Sequence, residues 1–304
     1  MSDSIRNKLY VEKYKPQTID DVLLEPHLKK KFKEYIENKD VPTLLMHSPP
    51  GTGKTSCAKL IAEGITEDWM FINASSETSI DVIRTKVEPF CVTQSLESDL
   101  KIVVMDEVDG SSMNFQYALK ENIEKFYNST RFIFTSNNPH NIDPAIRSRC
   151  QEFEFGNINK KTIAKRLIEI LKAEDTKFTL ENVTNIIKGI GTDMRKLLNE
   201  LQRLTITSGE GKILEKFVST SDKHCKVLEM IKNKELTAIR KYISEEGVNY
   251  DGLLKFMLNN ASKISASNWA QVMIDISDVS YRMKVGVDND IAFSAGLVTI
   301  MENM

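Results

Sequence analysis

The stretch HSPPGTGKTSCAKLIAEG, residues 47–64, decides the fold of this chain. From Ser48 to Thr55 it follows the phosphate-loop pattern G-x-x-x-x-G-K-[ST], except that Ser48 stands in place of the first glycine. Gly51 and Gly53 lack a Cβ and can adopt positive φ, so successive backbone N–H groups can turn toward one anion. The apolar run PTLLMH precedes the loop and a helical pattern follows it, which is the strand–loop–helix context that the motif requires.

A loop with this pattern is predicted to hold the phosphates of a nucleotide. Lys54 is positioned to reach the β- and γ-phosphates of ATP, and the hydroxyl of Thr55 is positioned to ligate Mg²⁺. The start of the following helix adds the positive end of a helix dipole. An ordinary Gly-Pro turn is the alternative interpretation. The candidate nucleotide-binding residues of the loop are Pro50, Gly51, Thr52, Gly53, Lys54, Thr55 and Ser56.

Length and composition indicate a multidomain globular protein. The 304 residues suggest two or three domains, and contents of 41% apolar and 28% charged residues are typical of soluble proteins. No apolar run is long enough to cross a bilayer and the N-terminus lacks an apolar targeting segment, so we expect a cytoplasmic protein with no membrane partner. The four cysteines lie far apart without C-x-x-C spacing, which indicates reduced thiols and no zinc site.

The charge balance limits how a nucleic acid could be bound. With a net charge of −2, a nucleic-acid partner would have to meet a local basic surface. The cluster KKKFK at 29–33 is a candidate by charge alone. Because Leu28, Phe32 and Ile36 fall at helical spacing, the lysines are better explained as the solvated face of an amphipathic helix.

Hydrophobic patterning divides the chain into three predicted domains. In residues 1–156 the apolar runs PTLLMH, WMFINA, LKIVVMD, TRFIFTSN and CQEFEF alternate with helical patterns, which predicts an α/β domain with a parallel sheet covered on both faces. Strand signals then stop, so residues 157–212 are predicted to form a small helical domain that ends in a linker-like stretch, TSGEGK at 207–212. Residues 213–304 are predicted to form an all-helical C-terminal domain.

Polar side chains follow two further predicted strands. In KIVVMDEVD the apolar run ends at Asp106 and Glu107, at the edge of a parallel sheet where ligands bind. Asp106 is predicted to anchor Mg²⁺, and Glu107 to activate the attacking water as a general base. Asn137, after RFIFTS, is placed to hydrogen-bond the γ-phosphate or the water. An exposed acidic turn is the alternative interpretation of the two carboxylates.

Two arginines lie near the end of the α/β domain, in the stretch PAIRSRC. The guanidinium groups of Arg147 and Arg149 could offer a planar fork to a phosphate. An ordinary pair of surface arginines is the alternative interpretation.

The motifs YVEKYKPQTIDDVL, HSPPGTGKT, VVMDEVD, FTSNN, RSRC and GTDMRKLLNELQ follow one another along residues 9–204. In that order they resemble the opening W-V-E-K-Y-R-P box, Walker A, Walker B, sensor 1, arginine finger and sensor 2 of AAA+ sliding-clamp loader subunits. The resemblance is to replication factor C small subunits and, within this family, to the ATPase subunit of T-even phage clamp loaders. Bacterial loader subunits carry a zinc-binding cysteine cluster that this sequence lacks.

The resemblance implies an ATPase that requires ATP and Mg²⁺. Asn137 would be the sensor 1 residue, and Arg195 the sensor 2 arginine that contacts the γ-phosphate from the helical lid. Arg149 would act in trans, at the ATP site of a neighbouring subunit. The residues expected beside the adenine are Val11, Tyr14 and Pro16.

Two further helices resemble family elements that face DNA and the neighbouring subunit. FQYALKENIEKF would place Gln116, Lys120 and Glu124 along the helix that couples the ATP site to both. SIDVIRTKVEPF resembles the helix that meets the DNA backbone, which makes Arg84 and Lys86 candidate phosphate contacts.

The sequence departs from the family pattern at four positions. Ser48 replaces the first loop glycine, Lys15 replaces the arginine of Y-R-P, and Glu121 and Ser79 stand where basic residues are usual. These departures concern the loop, the trans-acting contacts and the DNA contacts.

Three functions fit the sequence. The first is a clamp-loader ATPase that binds ATP, opens a sliding clamp, grips primer-template DNA and releases both on hydrolysis. It would act with a companion loader subunit and copies of itself in a ring, expected to be pentameric, in the host cytoplasm if it is phage-encoded. The second is a structural ring subunit that only presents Arg149. The third is another AAA+ remodeller, such as a helicase loader or branch-migration motor.

Overall fold

A computed structural model describes residues 9–93, 100–156, 158–208 and 211–304 of the chain. The chain divides into two compact units, Met1–Glu215 and Lys216–Met304. The first unit contains every motif named above, and in the second every described element is a helix.

A five-stranded parallel sheet forms the centre of the first unit. Its strands are β1 (Leu44–His47), β2 (Trp69–Asn73), β3 (Lys101–Asp106), β4 (Thr130–Ser136) and β5 (Gln151–Glu154). The spatial order is β2-β3-β4-β1-β5, and every neighbouring pair is parallel. Every residue of β3 is buried, as a central strand covered on both faces requires. The α/β prediction is confirmed.

Helices cover both faces of this sheet. They are α1 (Tyr10–Lys13), α2 (Pro26–Asn38), α3 (Lys54–Ile65), α4 (the consecutive segments Ile80–Val82, Ile83–Val87 and Glu88–Val92), α5 (Met113–Lys125) and α6 (Pro144–Arg147). Successive strand residues point to opposite faces. Leu44 and Met46 therefore join the core that contains Phe32 and Ile61, while Leu45 joins the core on the other face.

The lysine cluster of α2 lies on the outer side of an amphipathic helix. Leu28 and Phe32 are buried, whereas Lys29 donates to the backbone oxygen of Asp20 at 2.6 Å and Lys33 pairs with the Asp20 carboxylate at 2.7 Å. These local contacts agree with the interpretation of a solvated helix face.

A π-helical turn interrupts α4 at Ile83–Val87. Pro89 is the second residue of the next segment, Glu88–Val92. It has no N–H to donate to the carbonyl of Thr85. The widened turn accommodates the proline, with the N–H of Glu88 donating to the carbonyl of Ile83. The turn changes the direction of the exposed side chains of Arg84 and Lys86 relative to a regular helix.

The region after the sheet contains strands that the sequence did not predict. Its helices are α7 (Lys160–Ala173), α8 (Leu180–Ile190) and α9 (Met194–Leu204), and its strands are β6 (Thr176–Lys177), β7 (Thr205–Ser208) and β8 (Gly211–Leu214). They form a small sheet in the order β6-β8-β7, with β7 and β8 antiparallel. The prediction of a linker at 207–212 is therefore wrong. Strands of two to four residues are too short to give a clear alternating pattern.

The second unit is a helical domain with its own core, as predicted. Its helices are α10 (Thr220–Lys232), α11 (Leu236–Glu246), α12 (Tyr250–Asn259), α13 (Ala261–Ile264), α14 (Trp269–Lys284) and α15 (Asn289–Glu302). Gly247 caps α11 with φ 58°, and Gly286 follows α14 with φ 94°. Within the described ranges, no helix is both long and apolar enough to span a membrane.

Candidate active site

Strand register aligns the three predicted site loops at one edge of the sheet. His47 at the end of β1 is paired with Ser136 at the end of β4, and Asn73 of β2 is paired with Asp106 of β3. The loops that follow β1, β3 and β4 therefore start side by side. This carboxyl edge is where open parallel sheets bind ligands.

The loop between β1 and α3 needs both of its glycines for their backbone conformation, and Gly51 for a close contact as well. Gly51 and Gly53 have φ of 78° and 92°, a region that residues with a Cβ rarely adopt. A Cβ at Gly51 would lie 1.9 Å from Oδ1 of Asp193, which belongs to the start of α9. The N–H of Met194 also donates to the oxygen of Gly51 at 3.1 Å. The start of α9 thus approaches the loop closely because Gly51 has no side chain.

Lys54 lies buried beneath this loop. Its Nζ donates to the backbone oxygens of Ser48 and Pro49, at 2.8 and 3.1 Å, and to Oδ1 of Asn137 at 2.9 Å. Burial lowers the pKa of Lys54, and nearby carboxylates, Asp106 foremost, oppose that shift. The ammonium group is thus placed among oxygen acceptors that phosphate oxygens can replace.

Ser48, which departs from the motif, takes part in the loop through its hydroxyl. Its Oγ lies 3.1 Å from Nζ of Lys54 and 2.5 Å from Oγ1 of Thr52. A glycine at this position would supply neither contact. The serine therefore adds an acceptor for Lys54 and connects the two ends of the loop.

Asp106 and Thr55 have the chemistry and spacing expected of magnesium ligands. Oγ1 of Thr55 donates to Oδ1 of Asp106 at 2.6 Å. Neighbouring ligands of an octahedral Mg²⁺ with bonds of about 2.1 Å are about 3 Å apart, so a small separation would admit the ion between these two hard oxygens. The described ranges contain no group of three or more His, Cys, Asp or Glu side chains arranged to hold a metal, so an ion here would rest on these two side chains and on the phosphates.

Thr135 organises the two carboxylates, and the sequence alone did not indicate it. Its hydroxyl donates to Oδ1 of Asp106 and accepts the N–H of Glu107 at 3.1 Å. Glu107 has φ 56° and ψ 47°, a left-handed conformation that is unfavourable for a residue with a Cβ. Thr135 is buried at the end of β4, so it stabilises this conformation from within the sheet.

The Glu107 carboxylate is held by a residue of a different loop. Oε2 of Glu107 accepts a hydrogen bond from Oγ of Ser75 at 2.7 Å. Ser75 follows β2, and its N–H donates to Oδ1 of Asn73 at 3.0 Å. The same Asn73 oxygen lies 2.8 Å from Oγ of Ser75 and is a second acceptor within reach of its single hydroxyl proton. The predicted general base thus has a hydrogen-bond partner on the β2 side of the site.

Asp109 holds the loop that carries Asn137. Its carboxylate accepts the N–H of Asn137 at 3.2 Å and the N–H of Asn138 at 3.0 Å. Asn137 in turn accepts from Lys54, so one chain of contacts runs from the turn after β3 to the loop after β1. Neither Asp109 nor Ser75 stands out in the sequence, because their roles depend on which loops become neighbours.

A cavity of about 230 Å³ adjoins the phosphate loop. Its apolar wall comes from the N-terminal segment and from α9; it consists of Val11, Pro16, Val22, Leu23, Met194 and Leu198. Tyr14 and Arg195 also line the cavity, so the structure brings the predicted adenine-side residues and the sensor 2 arginine together with Gly51, Thr52, Gly53, Thr55 and Ser56. Pro50 is exposed and does not line it. Arg166 of α7 is a lining residue that no sequence motif indicated.

Arg149 lies away from this cavity. Its guanidinium pairs with Glu124 of α5 and donates to the backbone oxygen of Ala145 at 2.6 Å. Arg147 instead makes a two-point ion pair with Glu152, at 3.0 and 2.9 Å. Arg149 therefore bonds to residues outside the P-loop of its own chain.

Gln116 connects α5 to the segment before these arginines. Buried in α5, it donates to the oxygen of Asn141 at 3.1 Å and accepts the N–H of Asp143 at 2.8 Å. Asp143 is the N-cap of α6, whose last residue is Arg147. Lys120 lies one turn further along α5 and is partly buried.

The candidate DNA contacts lie on the π-helical part of α4. Arg84 and Lys86 are both exposed, and Lys86 pairs with Glu77. They are separate from the cavity and from the carboxylates of the site.

Comparison with known proteins agrees with this geometry. Residues 44–158 match the family described as ATPase family associated with various cellular activities (AAA). The chain is 31% identical to the replication factor C small subunit of Saccharolobus solfataricus, over 97% of this chain and 94% of that protein. It is 30% identical to the replication factor C small subunit of Aeropyrum pernix, over 97% and 96% of the two chains. Human replication factor C subunit 5 is 29% identical over 96% and 91%.

Solved structures with the same fold include the RuvB Holliday junction branch migration motor of Thermotoga maritima. That chain matches with a TM-score of 0.56 and 15% sequence identity, over 78% of this chain and 86% of the other. Identity this low supports the fold alone.

The parallel sheet, the glycine loop with Lys54, and the carboxylates at the end of β3 define a nucleotide-binding ATPase of the AAA class. Relatives at 30% and 31% identity extend over almost the whole of both chains. The chain belongs to the replication factor C small-subunit family.

Proposed function

We propose that this chain is the ATPase subunit of a sliding-clamp loader that acts on primer-template DNA. The observation that carries the proposal is the convergence of Lys54, Asp106, Glu107 and Asn137 at one sheet edge, beside a cavity that could take the nucleoside. Kinship with replication factor C small subunits supports the choice of process. ATP binding would drive clamp opening and gripping of DNA, and hydrolysis would release both.

In the proposed reaction, the polyphosphate replaces the loop acceptors of Lys54. Phosphate oxygens would take the hydrogen bonds that Ser48, Pro49 and Asn137 now receive, while the N–H groups around Gly51 and Gly53 face the same anion. The adenine would lie against Val11, Tyr14 and Pro16. Arg195, which is exposed at the cavity, would reach the γ-phosphate.

The two carboxylates at the end of β3 would have different roles, metal binding and proton transfer. Thr55 and Asp106 would hold Mg²⁺, which neutralises charge on the phosphates when it is bound. Glu107 would accept a proton from the attacking water, and Asn137 would orient that water or the γ-phosphate. Thr135 supports both carboxylates, since one hydroxyl contacts Asp106 and the N–H of Glu107.

We further propose that Arg149 completes the site of a neighbouring copy. To do so its guanidinium must leave Glu124 of its own chain, because one face of the side chain is engaged there. A ring of copies with a companion subunit, in a pentameric assembly, would provide such interfaces. In this scheme residues 1–156 are the nucleotide-binding domain, residues 157–212 the lid, and residues 213–304 an oligomerising collar.

DNA would be gripped through its backbone. Arg84 and Lys86 would contact phosphates, as in the helix that the resemblance names, so binding would be independent of sequence. Lys86 must exchange Glu77 for a phosphate.

Steady-state ATPase measurements test the proposed function. The purified chain is assayed alone, with primed DNA, and with primed DNA plus a candidate clamp, against the Lys54→Ala variant. We expect turnover that primed DNA and clamp increase and that the variant lacks. Turnover indifferent to primed DNA and to every clamp would favour another AAA+ remodeller, and no turnover in any mixture would favour a structural ring subunit.

A further inference from the structure

The N-terminal wall of the nucleotide cavity is attached to the lid region through side chains. The N–H of Tyr10 donates to Oε1 of Gln202 in α9 at 2.9 Å. The hydroxyl of Tyr14 donates to Oε1 of Glu174, the residue after α7, at 2.7 Å. One wall of the cavity is therefore held by residues 192 and 160 positions away in the chain.

Glu174 collects three donors although it is only 7% exposed. In addition to Tyr14, it accepts Nζ of Lys13 at 2.6 Å and Nζ of Lys212 at 2.7 Å. Burial disfavours the charged carboxylate, but the hydrogen bonds from Lys13, Lys212 and Tyr14 outweigh it and lower the pKa of Glu174 to about 2. The group is ionised at neutral pH and fully engaged, so it is a fixed point between the N-terminal segment, α7 and β8.

Two further contacts hold the ring of Tyr14, and one of them also depends on Glu174. The ring packs edge-on against Tyr10, with centroids 5.7 Å apart, and Nζ of Lys13 lies 5.5 Å from its centroid. Lys13 is itself a partner of Glu174, and Tyr14 lines the cavity. Loss of the carboxylate would therefore remove the acceptor of the Tyr14 hydroxyl and the partner that holds Lys13 over its ring.

We infer that Glu174 is a positioning residue for nucleotide binding, which fixes Tyr14 in the cavity wall and ties that wall to the lid. The inference rests on the proposed function, because it takes the cavity to be the nucleoside site. Glu174 does not contact the phosphate loop through any of its three partners. Its effect should therefore appear for ligands that carry a nucleoside and be absent for a bare polyphosphate.

The test compares ATP with inorganic tripolyphosphate. Dissociation constants for both are measured by calorimetry for the full-length wild type, Glu174→Gln, Tyr14→Phe and the double variant, together with each unfolding temperature. Tyr14→Phe removes only the donor hydroxyl, and Glu174→Gln removes the charge while keeping the shape. Glu181→Gln is the matched control, because Glu181 is an exposed carboxylate of α8 in the same region.

We expect each single variant to bind ATP about 10-fold more weakly and tripolyphosphate within about 2-fold of the wild type. The double variant should be no weaker than the worse single variant, since both substitutions act on one hydrogen bond: Tyr14→Phe removes its donor, and Glu174→Gln replaces its charged acceptor by a neutral one. The control should bind both ligands like the wild type.

Equal weakening for both ligands, or unchanged ATP affinity in Tyr14→Phe, would overturn the inference. If Glu174→Gln shows no cooperative unfolding, the result for Tyr14→Phe decides alone. A wild-type chain that binds tripolyphosphate but not ATP would also refute it, whereas a chain that binds neither ligand overturns the proposed function itself.

Discussion

The hydroxyl of Ser75 donates a hydrogen bond to Oε2 of Glu107 at 2.7 Å. The two residues follow different strands, β2 and β3, which are paired in register at Asn73 and Asp106. The proposed general base is therefore held toward β2. A water attacking the γ-phosphate would have to compete with Ser75 for this carboxylate.

Replacement of Ser75 by alanine should raise basal ATPase. The variant removes a hydrogen bond to the Glu107 carboxylate with which the attacking water would compete, and we expect an increase of about 2- to 10-fold. Steady-state turnover without DNA measures it. Ser76→Ala is the control, because the Ser76 hydroxyl donates to the backbone oxygen of Asn73 and not to Glu107. A fall in turnover specific to Ser75→Ala would mean that the serine supports the active position of Glu107 instead.

Replacement of Glu107 by glutamine should stop turnover and keep ATP binding. Asp106 and Thr55 remain to hold Mg²⁺, while the amide cannot accept the proton of the water. Lys54→Ala is the contrasting variant, since it should weaken nucleotide binding itself. Single-turnover hydrolysis and ATP affinity separate the two effects. Near-normal hydrolysis by Glu107→Gln would remove this residue from the role of base.

Removal of the charges of Arg84 and Lys86 should flatten the salt dependence of DNA binding. For duplex DNA, each phosphate that the variant no longer neutralises should reduce the slope of log affinity against log salt by about 0.9. Lys30→Ala, on the exposed side of α2, is the control for a change in net charge. Glu77→Gln should act in the opposite direction, because it releases Lys86 from its ion pair. An unchanged slope in the double variant would locate the DNA-binding surface elsewhere.

Acidification should destabilise the second unit through His224. This side chain is 5% exposed, its Nε2 has no hydrogen-bond partner among the described residues, and burial lowers its pKa. Above the unfolded pKa of about 6.5 the imidazole is neutral in both states, so stability is unaffected. Below it the unfolded chain binds the proton more readily, and stability falls by at most about 1.4 kcal/mol per pH unit.

Urea unfolding of the wild type and of His224→Leu between pH 7.5 and pH 5 measures this contribution. The free energy of unfolding of the wild type minus that of His224→Leu should decrease as the pH falls, because only the wild type carries the histidine. A difference independent of pH would show that His224 does not titrate on unfolding.

Local sequence patterns were sufficient to predict the main sheet and the phosphate loop. β1, β3 and β4 contain the apolar runs LLM, IVVM and FIF, each followed by polar residues, and such runs are typical of central parallel strands. The spacing of Gly51, Gly53 and Lys54 likewise fixed the loop, because the backbone must adopt positive φ there.

Contacts between distant segments were not predictable in the same way. In the sequence, Thr135 is an ordinary strand threonine, and only the pairing of β3 with β4 brings its hydroxyl to Asp106. Glu174 is likewise an ordinary carboxylate at a helix end, and only the fold brings Tyr14 to it. The small sheet of β6, β7 and β8 was missed because its strands are short and partly polar. In each case, the missing information is which segments become neighbours.

The most direct test of the central claim is complementation between two inactive variants in mixed rings. Arg149→Ala should depress ATPase yet leave ATP binding intact, because the guanidinium would stabilise charge at the neighbouring site, where arginine fingers contribute about 10³- to 10⁵-fold in rate in other NTPases. Lys54→Ala subunits keep the finger but lack a working P-loop. Mixed rings of the two variants should recover part of the wild-type turnover, because some interfaces pair an intact P-loop with an intact finger. No recovery, in rings demonstrated to contain both variants, would contradict the proposal of a trans-acting arginine in a ring ATPase.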